Sequence, residues 1–166
     1  MTSLRQMLVN LRVCREAIDW VGDRDLATAW AECERGDWML YFAGSQAGPP
    51  LSDSRRPLVL AARECSRLAS PYAARTPTTG AAFAAAEAAD YAAEAACAAA
   101  SSVRSDDVAF AAGIAAFAAA EAAAYFSVDA APEDTASAQA IARSAVLRQC
   151  ADIVRKHYPQ PLEPRP

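Results

Sequence analysis

Apolar positions recur along this chain with the 3.6-residue period of helices almost from end to end, so the predicted elements follow from where that period is punctuated. Ser3-Leu-Arg-Gln6 fits a capping box, the serine capping the N3 amide and the glutamine reaching back, and it opens a helix predicted over about residues 3–21. Gly22 ends that helix, and Asp25 is placed to cap a short second one carrying Leu26, Trp30 and Cys33 at i, i+4 and i+7. Gly36-Asp37 punctuates before a further segment over residues 38–43. Residues 44–54, with Pro49-Pro50, read as a surface loop. Pro57 suits the first turn of a helix running to about Leu68, and Pro71 and Pro77 bound another loop. A last helix is predicted from Pro132. Glu133 and Asp134 in its first turn and Arg155, Lys156 and His157 in its last both match the helix dipole. Val146, Cys150, Ile153 and His157 follow one another on it in steps of 4, 3 and 4, while Pro159, Pro161, Pro164 and Pro166 keep the tail extended.

Between these segments lies an internal repeat: Phe83-Ala-Ala-Ala-Glu87-Ala-Ala-Asp90-Tyr91 recurs 34 residues later as Phe117-Ala-Ala-Ala-Glu121-Ala-Ala-Ala124-Tyr125. Each unit is one long helix followed by a polar break over residues 101–107, which makes a helical hairpin and not a tetratricopeptide array. At 100° per residue Phe83, Glu87, Asp90, Glu94 and Cys97 share one face of the first helix. Ala81, Ala85, Ala88, Ala92, Ala96 and Ala99 lie opposite. In the second, Phe110, Ile114, Phe117, Glu121 and Val128 share a face opposite Ala112, Ala115, Ala119 and Ala123. Smooth alanine ridges bring helices to the short end of the usual range of roughly 8–10 Å at no side-chain entropy cost, so the alanines are predicted to join the helices to one another.

Composition narrows the class. The chain has 166 residues, 44 of them alanine, with 54% hydrophobic and 22% charged residues and only 6 glycines. This excludes collagen-like and highly charged disordered chains and leaves an all-α, single-domain helical bundle. Its short N-terminal helices and long alanine-rich hairpin fill residues 1–158, and residues 159–166 form a proline-rich tail. The net charge is -4 and the acidity sits in the alanine-rich middle, where residues 79–131 hold seven acids and one arginine. Nucleic acid is not an expected partner, since phosphate neutralisation needs a basic face. Residues 108–126 approach membrane-spanning length with a single charge at Glu121. Alanine adds little to membrane transfer and a mid-span glutamate costs about 2–3 kcal/mol, so a buried helix and no membrane partner are predicted. Arg5, Asn10 and Arg12 interrupt any signal-peptide profile, and a cytoplasmic location is expected.

The search for reactive chemistry returns little. Cys14, Cys33, Cys65, Cys97 and Cys150 are odd in number and never paired as CxxC, and His157 is the single histidine, so neither a zinc site, a disulfide framework nor a di-metal helix pair is expected. Cys150 and His157 share a helix face, but i to i+7 separates them by about 10 Å along the axis. Glu87, Asp90 and Glu94 could offer oxygens to a divalent cation or simply form a solvated face. No Gly-rich phosphate loop, HExxH or GxSxG occurs. The reading is of a protein without catalytic activity, cofactor or metal.

The densest aromatic feature is Trp20, Trp30 and Trp38, interleaved with Asp19, Asp23, Asp25, Glu32, Glu34 and Asp37 against Arg24 and Arg35. Core packing accounts for such tryptophans, but six acids against two bases would also suit a basic protein partner, electrostatics setting the on-rate and aromatics supplying anchors. Trp30 and Cys33, on the Leu26 stripe, are expected to face the core. The candidate partner-binding set is Asp23, Asp25, Glu34, Arg35, Asp37 and Trp38, with Asp23, Asp25 and Asp37 steering and Trp38 anchoring.

The elements Ala29-Trp30-x-x-Cys33-x-x-x-Asp37-Trp38 and Cys150-Ala-Asp152-Ile-Val-Arg155, separated by the alanine-rich repeat, give the chain a family likeness. It resembles the all-α immunity proteins of bacterial polymorphic toxin systems, which have relatives carried by phages. The resemblance implies that the chain binds and neutralises a cognate toxin stoichiometrically and that no residue is catalytic. A phage-encoded inhibitor, a helical scaffold and a hydrolase using Cys150 are the alternatives.

Overall fold

Helix follows helix in the computed structural model, which describes residues 3–73, 80–130 and 134–163. The elements are α1 (Leu4–Asn10), α2 (Arg15–Val21), α3 (Leu26–Glu32), α4 (Gly36–Ser45), α5 (Arg56–Arg67), α6 (Ser70–Ala73), α7 (Gly80–Ser101), α8 (Ser105–Ala130) and α9 (Thr135–His157). No strand occurs among the described residues, and the fold is an all-α helical bundle.

The axis of the bundle is α8, against which α4, α5, α7 and α9 all pack. Its composition explains this position. Ala112, Ala115, Ala116, Ala119, Ala120 and Ala122 are fully buried although they point in several directions, and single methyl groups let neighbours approach from each of them. The sequence predicted one buried ridge here, but α8 is covered nearly all round, leaving Phe110, Phe117 and Tyr125 among its outward side chains. By length and composition α8 could cross a membrane; in the bundle 72% of its most apolar window is buried. The other half of the hairpin, α7, follows the predicted division in part: Ala85, Ala92, Ala96 and Ala99 are buried and Phe83, Glu87, Asp90, Glu94 and Cys97 are exposed, while Ala81 and Ala88 are half-buried and Ala89 and Ala95 join the buried face. Residues 102–104 join the two helices, a break shorter than the predicted polar stretch because Ser105, Asp106 and Asp107 already belong to the first turn of α8.

Close approach also fixes α4. A Cβ on Gly36 would lie 2.3 Å from Cys150 Cβ and 2.6 Å from the backbone nitrogen of Ala151, and one on Gly44 would lie 2.5 Å from Ala109 Cα. Glycine at these two places lets α4 lie directly against α9 and α8. Gly36 therefore belongs inside the helix, as its first residue, and does not break the chain before it.

Four further expectations are corrected. The first predicted helix is two: α1 ends at Asn10 and α2 begins at Arg15, with Arg12 between them at φ 54°, a left-handed residue that no glycine or proline announces. Half of the capping box forms, the Gln6 amide donating to Ser3 Oγ at 3.2 Å, while the Gln6 side chain donates to Asn10 Oδ1. The predicted loop over residues 44–54 starts later, since α4 continues to Ser45. Pro71 lies within the helical turn α6 and does not bound a loop. The readings at Pro77, Pro132, Glu133, Pro164 and Pro166 lie outside the described residues.

One buried charge was not anticipated. Arg55, 2% exposed, donates from Nε to the carbonyl of Gly48 at 2.7 Å and from Nη1 to the carbonyl of Ser102. It thereby ties the loop before α5 to the α7–α8 turn, and burial pushes its pKa down.

Candidate functional site

The tryptophan corner separates into an inner and an outer half. In the inner half, Trp30 and Cys33 are buried as predicted. The Trp30 indole donates from Nε1 to the carbonyl of Tyr158 at 3.0 Å and meets Phe42 edge-on at 6.2 Å. Arg155 of α9 donates to the carbonyls of Trp30 and Cys33 at 3.2 and 2.8 Å, satisfying two groups at the open end of α3. Two elements of the sequence resemblance, Trp30-x-x-Cys33 and Asp152-Ile-Val-Arg155, therefore meet in space as structure.

The outer half is a stack. Arg24 lies 4.8 Å from the Trp20 ring, Trp20 lies 6.1 Å from Trp38 at an interplanar angle of 58°, and Arg35 lies 4.2 Å from the Trp38 ring. Cation–π contact with each guanidinium holds two half-buried indoles side by side at the surface. Arg35 is itself gripped by Asp37 through Nε at 3.0 Å and Nη2 at 2.8 Å, and it reaches Glu16 with Nη1 at 3.3 Å. Burial disfavours the Arg35 charge, but these carboxylates outweigh it and raise its pKa above the ordinary value. The fork-to-fork pair with Asp37 fixes the orientation of the guanidinium over the ring.

The predicted residues are thus brought to one region in different roles. Asp23 is exposed. Asp25 caps α3, accepting the Thr28 amide at 2.7 Å; this hydrogen bond holds its carboxyl below the usual range. Glu34 is exposed and bridges to Arg148 of α9 at 3.0 Å. Asp37 is a correction. It is 8% exposed and occupied by Arg35, so it cannot steer an approaching partner; it positions the stack instead.

Next to the stack lies a feature the sequence reading missed. A cavity of about 590 Å³, open to solvent, is lined by Leu4, Leu8 and Val13 from the N-terminal segments, by Trp38 from α4, and by Phe110, Ile114 and Phe117 from α8. Its lining is almost wholly apolar, with Arg12, Glu16, Arg35 and Asp37 as its charged members. The signal in the sequence was the Phe110, Ile114, Phe117 face of α8, a row of large apolar side chains on a helix otherwise built mostly of alanine. Phe110 and Phe117 remain 58% and 40% exposed.

Elsewhere the titratable side chains lie as follows. Cys150 is fully buried, and the Cys65 thiol points to its carbonyl at 3.9 Å. Interaction with the Cys150 side chain, together with burial, pushes the Cys65 thiol well up, and burial raises that of Cys33. His157 lies with Nε2 3.0 Å from Glu64 Oε1, and Lys156 donates to the same carboxylate at 2.9 Å. Glu87, Asp90 and Glu94 stand exposed on α7, and no group of three His, Cys, Asp or Glu among the described residues could hold a metal ion. No family model, no curated protein and no solved structure matches the chain.

Proposed function

We propose that this chain works by stoichiometric protein binding, as an immunity protein that holds a toxin inactive in the cytoplasm, without cofactor and without turnover. The observation that carries this reading is the Trp20–Trp38 stack beside an open apolar cavity. The fold leaves two half-buried indoles beside a cavity at which Phe110 and Phe117 stay exposed, and aromatic anchors in such pockets are where protein interfaces concentrate their binding energy. Acidic groups around it, Asp19, Asp23 and Glu34 among them, favour a basic partner and would set its rate of approach.

The experiment is neutralisation. The reading frame beside this gene is expressed in a host cell with and without the chain, and growth is followed while the complex is isolated and weighed. Growth arrest relieved only when the chain is at least equimolar, with a one-to-one complex recovered, supports the reading. Relief at a small fraction of the toxin concentration would mean turnover, and no relief with no complex would remove the immunity assignment.

A further inference from the structure

The apolar cavity has the shape and surroundings of a receptor for one kind of element. Along α8, Phe110, Ile114 and Phe117 follow at steps of 4 and 3, so the stripe is about 10 Å long, two turns of helix. An apposed helix with apolar residues at the same steps presents a matching row. Charge complementarity selects its polar face. Residues 14–38 carry seven carboxylates against three arginines, a net charge of -4; five of the carboxylates are paired, Glu16 and Asp37 with Arg35, Asp19 with Arg15, Glu32 with Arg24 and Glu34 with Arg148, and Arg12 of the lining adds one positive charge. Asp106, one turn before Phe110, adds a negative charge that acts on Tyr41 in the lining.

We propose that the groove between the N-terminal helices and α8 seats a basic amphipathic helix of the partner protein, its apolar face on Phe110, Ile114, Phe117 and Trp38 and its lysines or arginines over the acidic α2–α3 rim. The proposal rests on the protein-binding reading above and adds what the bound element is. Asp23, exposed and free of any carboxylate-consuming pair among the described residues, is the rim charge most available to it.

A synthetic eighteen-residue helix of leucine and lysine, with the leucines at helical spacing, tests this against two controls: the same composition in scrambled order, and a leucine–glutamate counterpart. Tryptophan fluorescence reports Trp20, Trp30 and Trp38, all three in the lining, and circular dichroism reports the peptide. The expected result is saturation at one peptide per chain, with both controls at least about tenfold weaker. Phe117→Asp should weaken binding by about tenfold with unchanged melting, and Phe110→Ser should do the same should the first variant fail to fold, whereas Phe83→Asp on α7 should leave binding intact. Equal binding of the scrambled or acidic peptide, several peptides per chain, or a self-dimer abolished by Phe117→Asp would overturn the proposal. Toxin neutralisation without peptide binding removes the groove assignment and keeps the immunity reading; peptide binding without neutralisation does the reverse.

Discussion

The block of α4, α7, α8 and α9 and the N-terminal corner of α1 to α3 solve the problem of burial in opposite ways. In the block, long helices meet through methyl groups and glycine notches, and α8 is enclosed by helices on nearly every side. In the corner, three helices of seven residues each are too short to be stable alone and are held by a cap, by ion pairs and by large aromatics. Small side chains tile without gaps. Large ones on short helices do not, and the cavity of about 590 Å³ lies where the two regimes meet. The difference shows where the fold leaves room: at the junction of the two regimes, large side chains are not fully consumed by packing.

Substitutions that add volume should break this comparison most sharply on the block side. Gly36→Ala places a Cβ 2.3 Å from Cys150 Cβ and 2.6 Å from the Ala151 backbone, which cannot swing away, and should destabilise by about 3 kcal/mol or more in urea unfolding. Ala119→Leu, or Ala92→Leu on α7, should cost about 1–3 kcal/mol through overpacking despite the good helix propensity of leucine, whereas Phe117→Leu at the cavity should stay within about 1 kcal/mol of the parent. On the corner side the effects shrink. Asp25→Ala should lower the melting temperature modestly and Asp25→Asn should restore most of it, because the amide oxygen still caps α3.

The smallest expected effect is a pH dependence at the end of α9. The hydrogen bond from Lys156, then that from His157, hold the Glu64 carboxyl below its ordinary range against the opposing effect of burial. A carboxyl depressed in the folded state stabilises the fold above its unfolded pKa, and that contribution fades as pH falls through the lowered folded value. The difference in unfolding midpoint between the parent and Glu64→Gln should accordingly be present at pH 6 and shrink below about pH 4. A difference that grows on acidification would mean that the cluster is not held by charge.

Much of the block was legible in the sequence because its logic is local: the repeat at Phe83 and Phe117 and the alanine periodicity name two helices, and Pro57 and the basic last turn of α9 mark ends. The full enclosure of α8 was less so, since alanine on every face is compatible with one buried ridge or with four. What could not be read depended on distant partners. Gly36 looks like a breaker until Cys150, far along the chain, is seen against it. Asp37 looks like a surface charge until Arg35 is seen folded back onto it over Trp38. The turn at Arg12 is marked only by Asn10 at the end of α1, and the cavity lies between segments far apart along the chain, which no local pattern encodes. The candidate residues take different places: Asp23 and Glu34 are exposed, Arg35, Asp37 and Trp38 form the stack, and Asp25 caps α3.

The central claim is that the corner, and not the acidic ridge of α7, meets the partner. Association kinetics with the purified toxin measure this directly, comparing the parent with Asp19→Lys/Asp23→Lys on the corner and Glu87→Lys/Glu94→Lys on α7. Asp25 is left intact so that its cap is not confounded with its charge. The corner variant should associate about fivefold or more slowly at low salt and lose part of the parent's salt dependence, while the α7 variant keeps the parent's rate. A corner variant that associates as fast as the parent, beside an α7 variant that is slowed, would contradict the account.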